Sequence, residues 1–198
     1  MSVEDRPVRK PRADVQRNRE ALLRAAQRHF LRDGVGTSLE AVAKEAGVGP
    51  GTLYRHFPHR EALLAAVLLT RSEELVARQA EIARIGDPAE ALGQWLRAME
   101  EYLSAYAGLP EPLMAAAKAQ EPHNPLTVPC EHLIATTDTY VEAARRAGKA
   151  RPSVTGFDLF LAACSVAWIM GAGTTDEQAI GRLRELIESG YRPTGGTE

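Results

Sequence analysis

Two cysteines in 198 residues are too few for a disulfide framework, and Cys130 and Cys164 fit a reducing cytoplasm. Long apolar runs are missing. The longest nearly apolar stretch, Leu159 to Gly173, covers 15 residues and is broken only by Ser165, short of the ~20 needed to cross a bilayer. It is therefore expected to be a buried helix. No apolar run near the N-terminus suits a secretory signal, so a cytoplasmic protein without a membrane partner is expected. Aromatic residues make up only 6%. Internal repeats and low-complexity segments are absent, as is any convincing period-two strand.

Catalytic groupings are equally absent. The histidines at 29, 56, 59, 123 and 132 form no His-Asp pair and no H-x-x-x-H zinc helix. Cys130 and His132 lie close in sequence but have no further ligands nearby, and no C-x-x-C occurs. Neither a GxxxxGK[ST] phosphate loop nor a D-D-x-x-D run is present. No catalytic residue, metal or cofactor is therefore expected, and the protein is read as not an enzyme.

A large net charge of either sign is missing too: 24 Lys and Arg against 26 Asp and Glu give -2. The total conceals an asymmetry. Residues 1–60 hold 12 basic and 7 acidic side chains, and residues 61–198 hold 12 basic and 19 acidic. A basic head on an acidic body suits an electrostatic contact made by one end only. With 44% hydrophobic and 25% charged residues, the chain has the composition of a globular protein able to bury a core unaided.

What is present is helical periodicity. Residues 1–13 carry Arg6, Arg9, Lys10 and Arg12 among prolines and read as a basic flexible arm. A first helix is predicted over 14–33 on the stripe Leu22, Ala26, Phe30. A second starts at Thr37 with a Thr37-x-x-Glu40 capping box and stops at Gly47. A very short third runs from Pro50 to about His56, with Gly49 before it and Pro50 at the first helical position. Two short helices joined by a Gly-containing turn form the helix-turn-helix pattern. Six more helices follow, at about 60–85, from Asp87-Pro88-x-Glu90 to about 106, 112–120, from Pro129 to 146, 155–170 and 175–189. The last is opened by a Thr174-x-x-Glu177 box. The expected fold is all-α, about nine helices in total.

The segment 37–61 reads TSLEAVAKEAGVGPGTLYRHFPHRE. Val48 and Leu53 would pin the second short helix onto the first. Gly49, Pro50 and Gly51 place little bulk at its tip, so its backbone can approach a groove. Thr52 suits a thymine methyl or a phosphate. Thr37, Lys44, Tyr54, Arg55, His56 and Arg60 supply groups for phosphates.

The string A-x-x-A-G-V-x-x-G-T-L-Y-x-H-F-P-x-[KR]-E-A-L, present from Ala43 to Leu63, resembles the TetR/AcrR family of helix-turn-helix transcription regulators. The preceding Leu22, Leu23, Ala25, Ala26, Phe30 and Gly34 continue the likeness over roughly 14–68. The resemblance implies a DNA-contacting set of Thr37, Lys44, Gly49 to Thr52, Tyr54, His56 and Arg60, with Phe57 structural. Two positions depart from the pattern. Gly49 stands where Ser is common, which removes a hydroxyl contact. His59 stands where Ser or Asn is common, so a weaker cap on the next helix is expected.

The resemblance further implies 14–58 as the DNA-binding domain and 59–198 as a ligand-sensing and dimerisation domain. Candidate effector-lining residues are Trp95, Met99, Tyr102, Tyr106, Met114, Phe157 and Phe160. His132, Thr136 and Asp138 are polar groups that could orient a ligand. The helix 157–170 is apolar nearly all round, so a partner subunit is expected to cover part of it. The candidate dimer residues are Ala163, Val166, Ala167, Met170, Leu183 and Leu186. The implied function is a homodimeric repressor on a palindromic operator of double-stranded DNA, released by a small, largely apolar effector. A DNA-binding dimer without an effector, and an all-α enzyme carrying a helix-turn-helix, are the alternatives.

Overall fold

A computed structural model describes residues 11–119, 121, 123–173 and 175–193. Among these the chain is all-α, with nine helices and no strand: α1 Pro11–Asp33, α2 Leu39–Glu45, α3 Pro50–His56, α4 Arg60–Ile82, α5 Pro88–Ser104, α6 Pro110–Ala119, α7 Thr127–Arg146, α8 Gly156–Ala172 and α9 Glu177–Tyr191. The order is the one expected. No helix among the described residues is long and apolar enough to cross a membrane. The basic arm falls largely on residues 1–10, outside the described residues, while residues 11–13 belong to α1.

Local chemistry sets the helix starts, with some differences from expectation. Asp87 caps α5 by accepting from the amides of Ala89 and Glu90, as the sequence suggests. Ser38, not Thr37, caps α2, accepting from the Ala41 amide. The expected box is thus shifted by one residue, because Thr37 has another use: its Oγ1 lies 3.3 Å from Nδ1 of the buried His29. His59 itself caps α4, its Nδ1 accepting from the Ala62 amide at 3.3 Å. Asp176 caps α9; the expected Thr174 lies outside the described residues. Helix α7 begins at Thr127, so Pro129 sits in its first turn, where a missing N–H costs nothing.

The body is centred on α8, which packs against α5, α6, α7 and α9 of its own chain. The subunit itself thus covers α8 on several sides and leaves Ser165, Trp168 and Ala172 exposed. Leu159, Phe160, Ala163, Cys164, Val166 and Ala167 are all buried inside one subunit. The N-terminus of α8 lies hard against α7. The Gly156 amide donates to Asp138 Oδ1 at 2.6 Å, and a Cβ at Gly156 would come within 2.6 Å of Asp138. Asp138 is therefore an anchor for α8, and Thr136 is buried. A largely buried pair, Glu100 with Arg184 at 2.7 Å, ties α9 to α5. Burial, opposed by Arg184, holds the Glu100 carboxyl above its ordinary range.

Helices α1–α3 share the core with the start of α4. Leu22, Ala25, Ala26 and Phe30 of α1 are buried, as are Leu39, Val42 and Ala43 of α2 and Leu63, Leu64 and Val67 of α4.

Candidate functional site

The α2–α3 unit is built as a reading head on a rigid seat. Leu53 is the buried residue of α3, and Val48 is half-buried in the turn before it. Gly47 closes α2 at φ 71°, a left-handed conformation that suits glycine, and the Val48 amide returns to the Ala43 carbonyl at 3.0 Å. Phe57, 3% exposed, ends α3 against the core, with the Arg19 guanidinium over its ring at 5.4 Å. The remaining side of α3 is free. Gly49, Pro50, Gly51, Tyr54 and Arg55 are exposed, as is Lys44 on α2; Thr37, Thr52 and His56 are half-buried. A Cβ added at Gly49 or Gly51 would meet nothing within 4 Å. The Tyr54 hydroxyl donates to Glu40 at 3.4 Å. The start of α2 holds the Glu40 carboxyl below the usual range, first through its own backbone N–H and then through the Ser38 hydroxyl.

Arg60 differs from its expected place. It turns inward, and its Nη1 donates to the carbonyls of Val35 and Thr37 at 2.6 and 2.7 Å. It fastens the α1–α2 turn to the first residue of α4 rather than standing free for a phosphate. The same turn is gripped from the body. The Val35 amide donates to the Ala107 carbonyl in the α5–α6 turn at 2.9 Å. Gly34, at φ 78°, brings its backbone so close that a Cβ would lie 2.7 Å from that carbonyl oxygen. Phe30 meets Tyr106 edge-on, with centroids 5.9 Å apart. Glu45 at the end of α2 is bound to Arg28 at 2.6 Å and lies 2.8 Å from His29. The head thus joins the body through α4 itself, through Val35 on Ala107 and through Phe30 on Tyr106.

In the body, α4, α5, α7 and the segment before α7 enclose a cavity of about 520 Å³ that opens to solvent past Leu69, Val76 and Val128. Of the expected lining residues it contains Trp95 and Tyr102, and of the expected polar groups His132. The other five lie elsewhere. Met99, Tyr106 and Phe160 are core residues with no exposure. Met114 is half-buried on α6, and Phe157 is partly exposed at the start of α8; neither reaches the cavity. The larger part of the lining comes from α4, with Ala65, Ala66, Leu68, Leu69, Ser72, Leu75, Val76 and Gln79. The sequence did signal this: Leu68, Leu69, Leu75 and Val76 give α4 more apolar residues than one core-facing stripe needs. Trp95 is fixed by its Nε1–H to Thr137 at 2.9 Å and by stacking on Tyr140 at 5.6 Å. The Tyr102 hydroxyl donates to the Leu68 carbonyl, and burial pushes its pKa up to about 12.

The candidate dimer residues also separate. Ala163, Val166 and Ala167 are interior and cannot meet a partner. Met170 and Leu183 are half-buried, and Leu186 is 68% exposed. The outward line on α8 is instead Leu161, Ser165, Trp168 and Ala172, at helical spacing, with Trp168 55% exposed.

Two family models match the chain. "Bacterial regulatory proteins, tetR family" covers residues 22–67, and "Transcriptional regulator SbtR-like, C-terminal domain" covers residues 87–193. A TetR transcriptional regulator of known structure from Streptomyces coelicolor is 35% identical, with 89% of this chain and 99% of that chain covered and a TM-score of 0.54. The HTH-type transcriptional regulator LmrA of Bacillus subtilis is 30% identical over 138 residues, 66% of this chain and 73% of that protein. The HTH-type transcriptional regulator UidR of Escherichia coli is 38% identical over 66 residues, 33% of this chain. That match spans only 34% of UidR. The exposed tip of α3, its seat on α2, and these likenesses agree: the chain belongs to the TetR family and is a helix-turn-helix, DNA-binding transcriptional regulator.

Proposed function

We propose that the protein is a homodimeric repressor acting in the cytoplasm. It binds a palindromic operator through α2 and α3 and releases it when a small, largely apolar molecule enters the cavity between α4, α5 and α7. Residues 14–58 are the reading domain and residues 59–198 the sensing and dimerisation domain. The observation that carries the reading is that one helix does both jobs. The 23-residue α4, about 34 Å long, lines the cavity from Ala65 to Gln79 and holds the α1–α2 turn with Arg60. A ligand wedged between α4 and α7 displaces the lever on which the head is mounted. The Val35–Ala107 bond makes the α5–α6 turn a fulcrum.

A body packed without voids would favour a regulator that has no effector, so the cavity supports the ligand-responsive reading. The glycines at the α3 tip support the DNA contact. Gly51, in the first turn of α3, is a poorer helix former than alanine, and nothing inside the protein needs the space. The close approach of another molecule accounts for its absent side chain. The DNA-facing set is Thr37, Lys44, Gly49, Pro50, Gly51, Thr52, Tyr54, Arg55 and His56, with Arg60 as the clamp behind it. Dimerisation through Leu161, Trp168, Leu183 and Leu186 sets two α3 helices against successive major grooves, about 34–36 Å apart. The ligand needs only a preference of about 1–3 kcal/mol for the displaced geometry.

Selection from a random DNA pool with the purified protein tests the proposal. The expected product is an inverted repeat bound with a log–log salt slope near -7, for about eight neutralised phosphates. Recovery of no common sequence, or a slope near zero, refutes it.

A further inference from the structure

The chemistry of the cavity wall restricts what can enter it. None of its 15 lining side chains carries a fixed charge. Five have polar atoms besides the backbone: Ser72, Gln79, Trp95, Tyr102 and His132. Three of these have already spent their donors within the protein. Trp95 Nε1–H is given to Thr137, the Tyr102 hydroxyl to the Leu68 carbonyl and the Ser72 hydroxyl to the Leu69 carbonyl. Among the described residues, the side chains of Gln79 and His132 make no hydrogen bond. Gln79 is half-buried on α4, and His132 is exposed on α7. The nearby cation, Arg71, is not part of the wall and lies over the rings of Tyr106 and Tyr102 at 5.2 and 6.0 Å.

An ion entering this space would lose its hydration with no opposite charge to replace it. A neutral molecule would lose little and would gain dispersion against Leu68, Leu75, Val76, Leu133 and the Trp95 ring. We propose that the effector is an uncharged molecule with an apolar body, the cavity of about 520 Å³ being that of an ordinary small-molecule site. It bears at least one hydroxyl or carbonyl that pairs with the Gln79 amide or the His132 imidazole. Lipophilic cations are excluded because no carboxylate faces the cavity. Phosphorylated carriers are excluded because no basic cluster does. The proposal rests on the reading of this cavity as the effector site.

Three probes on one ring system test it by calorimetric titration of the full-length protein at pH 7.5: 1-naphthalenemethanol, 1-naphthoate and 1-naphthylmethylammonium. The alcohol is expected to bind at least about tenfold more tightly than either ion, the cost of stripping an unpaired charge. Gln79→Ala combined with His132→Ala should weaken the alcohol severalfold. Val76→Trp fills the cavity from its exposed rim and should abolish binding, with helicity unchanged by circular dichroism. If an ion binds as tightly as the alcohol, the proposal is overturned while the cavity remains the effector site. A naphthoate affinity that climbs as pH falls through the imidazole range overturns it in the same way, with His132 as the cation. If no probe binds, or if Val76→Trp leaves the alcohol's affinity intact, the cavity is not the effector site and the proposal falls with that reading.

Discussion

Arg60→Ala distinguishes a clamp from a phosphate contact. The guanidinium donates two charge-assisted hydrogen bonds to the Val35 and Thr37 carbonyls, at 2.6 and 2.7 Å. Each bond of that kind contributes about 1.5–3 kcal/mol. Arg60 is only half-buried, so water replaces part of the interaction once the side chain is gone. The expected loss is therefore nearer the value of one bond than two, about 2 kcal/mol per subunit. For a chain of this length, that lowers the melting temperature by about 4–8 °C. Operator affinity should fall as well, because Thr37 is no longer held in place, but the fall should be the same at every salt concentration. A clamp neutralises no phosphate, so the log–log salt line shifts down without changing slope. Lys44→Ala provides the contrast. Lys44 is exposed, so its removal should leave the melting temperature alone and flatten the slope by about 0.9 per phosphate, near 2 for a dimer. Thermal unfolding by circular dichroism and operator binding by fluorescence anisotropy between 50 and 200 mM salt would measure both. An Arg60→Ala protein with unchanged melting temperature and a slope flatter by about 2 would refute the clamp and return Arg60 to the DNA surface.

Other consequences follow from the same geometry. Gly34→Ala should destabilise the protein by more than 2 kcal/mol in urea unfolding. Left-handed backbone costs a Cβ-bearing residue about 1–2 kcal/mol, and the new methyl would lie 2.7 Å from a backbone oxygen that has no rotamer to escape into; a loss under 1 kcal/mol would mean the head does not seat on the α5–α6 turn. Leu186→Glu together with Trp168→Glu should yield helical monomers by sedimentation, with operator affinity lost because the half-sites are no longer linked. Ala163→Glu, by contrast, should unfold the subunit. A dimer that survives the double change would move the interface to another face. Cys130 and Cys164 are buried and unpaired, and burial pushes both thiols up to about 12. Neither should react with Ellman's reagent at pH 8, and two thiols per chain should appear on unfolding. A fast native reaction would show that the body opens around α7 and α8.

The sequence by itself determined the helical class, the order of the helices and the reading head. These are local matters. Apolar residues at three- and four-residue spacing, caps such as Asp87 and stops such as Gly47 act within a turn or two of the chain. The α2–α3 motif is short enough for its whole logic to lie in consecutive residues. Where local choices compete, neighbouring residues alone do not settle the outcome. Thr37 and Ser38 can each cap α2, and the choice fell to Ser38 because His29, eight residues before Thr37, lies beside the threonine hydroxyl. Only the tertiary structure decided the rest. Periodicity shows that a face is apolar but not what covers it. The helix at 156–172 is covered by its own chain, so Ala163, Val166 and Ala167 are core and the outward line passes through Trp168. The apolar surplus of α4 faces a cavity, while Met99, Tyr106 and Phe160, equally apolar in sequence, are packed solid. Arg60 reads as one more cation beside a DNA-binding motif until the fold brings the Val35 and Thr37 carbonyls, more than twenty residues earlier, within reach of its guanidinium. Such pairings depend on how helices pack across the molecule, and no window along the chain contains both partners.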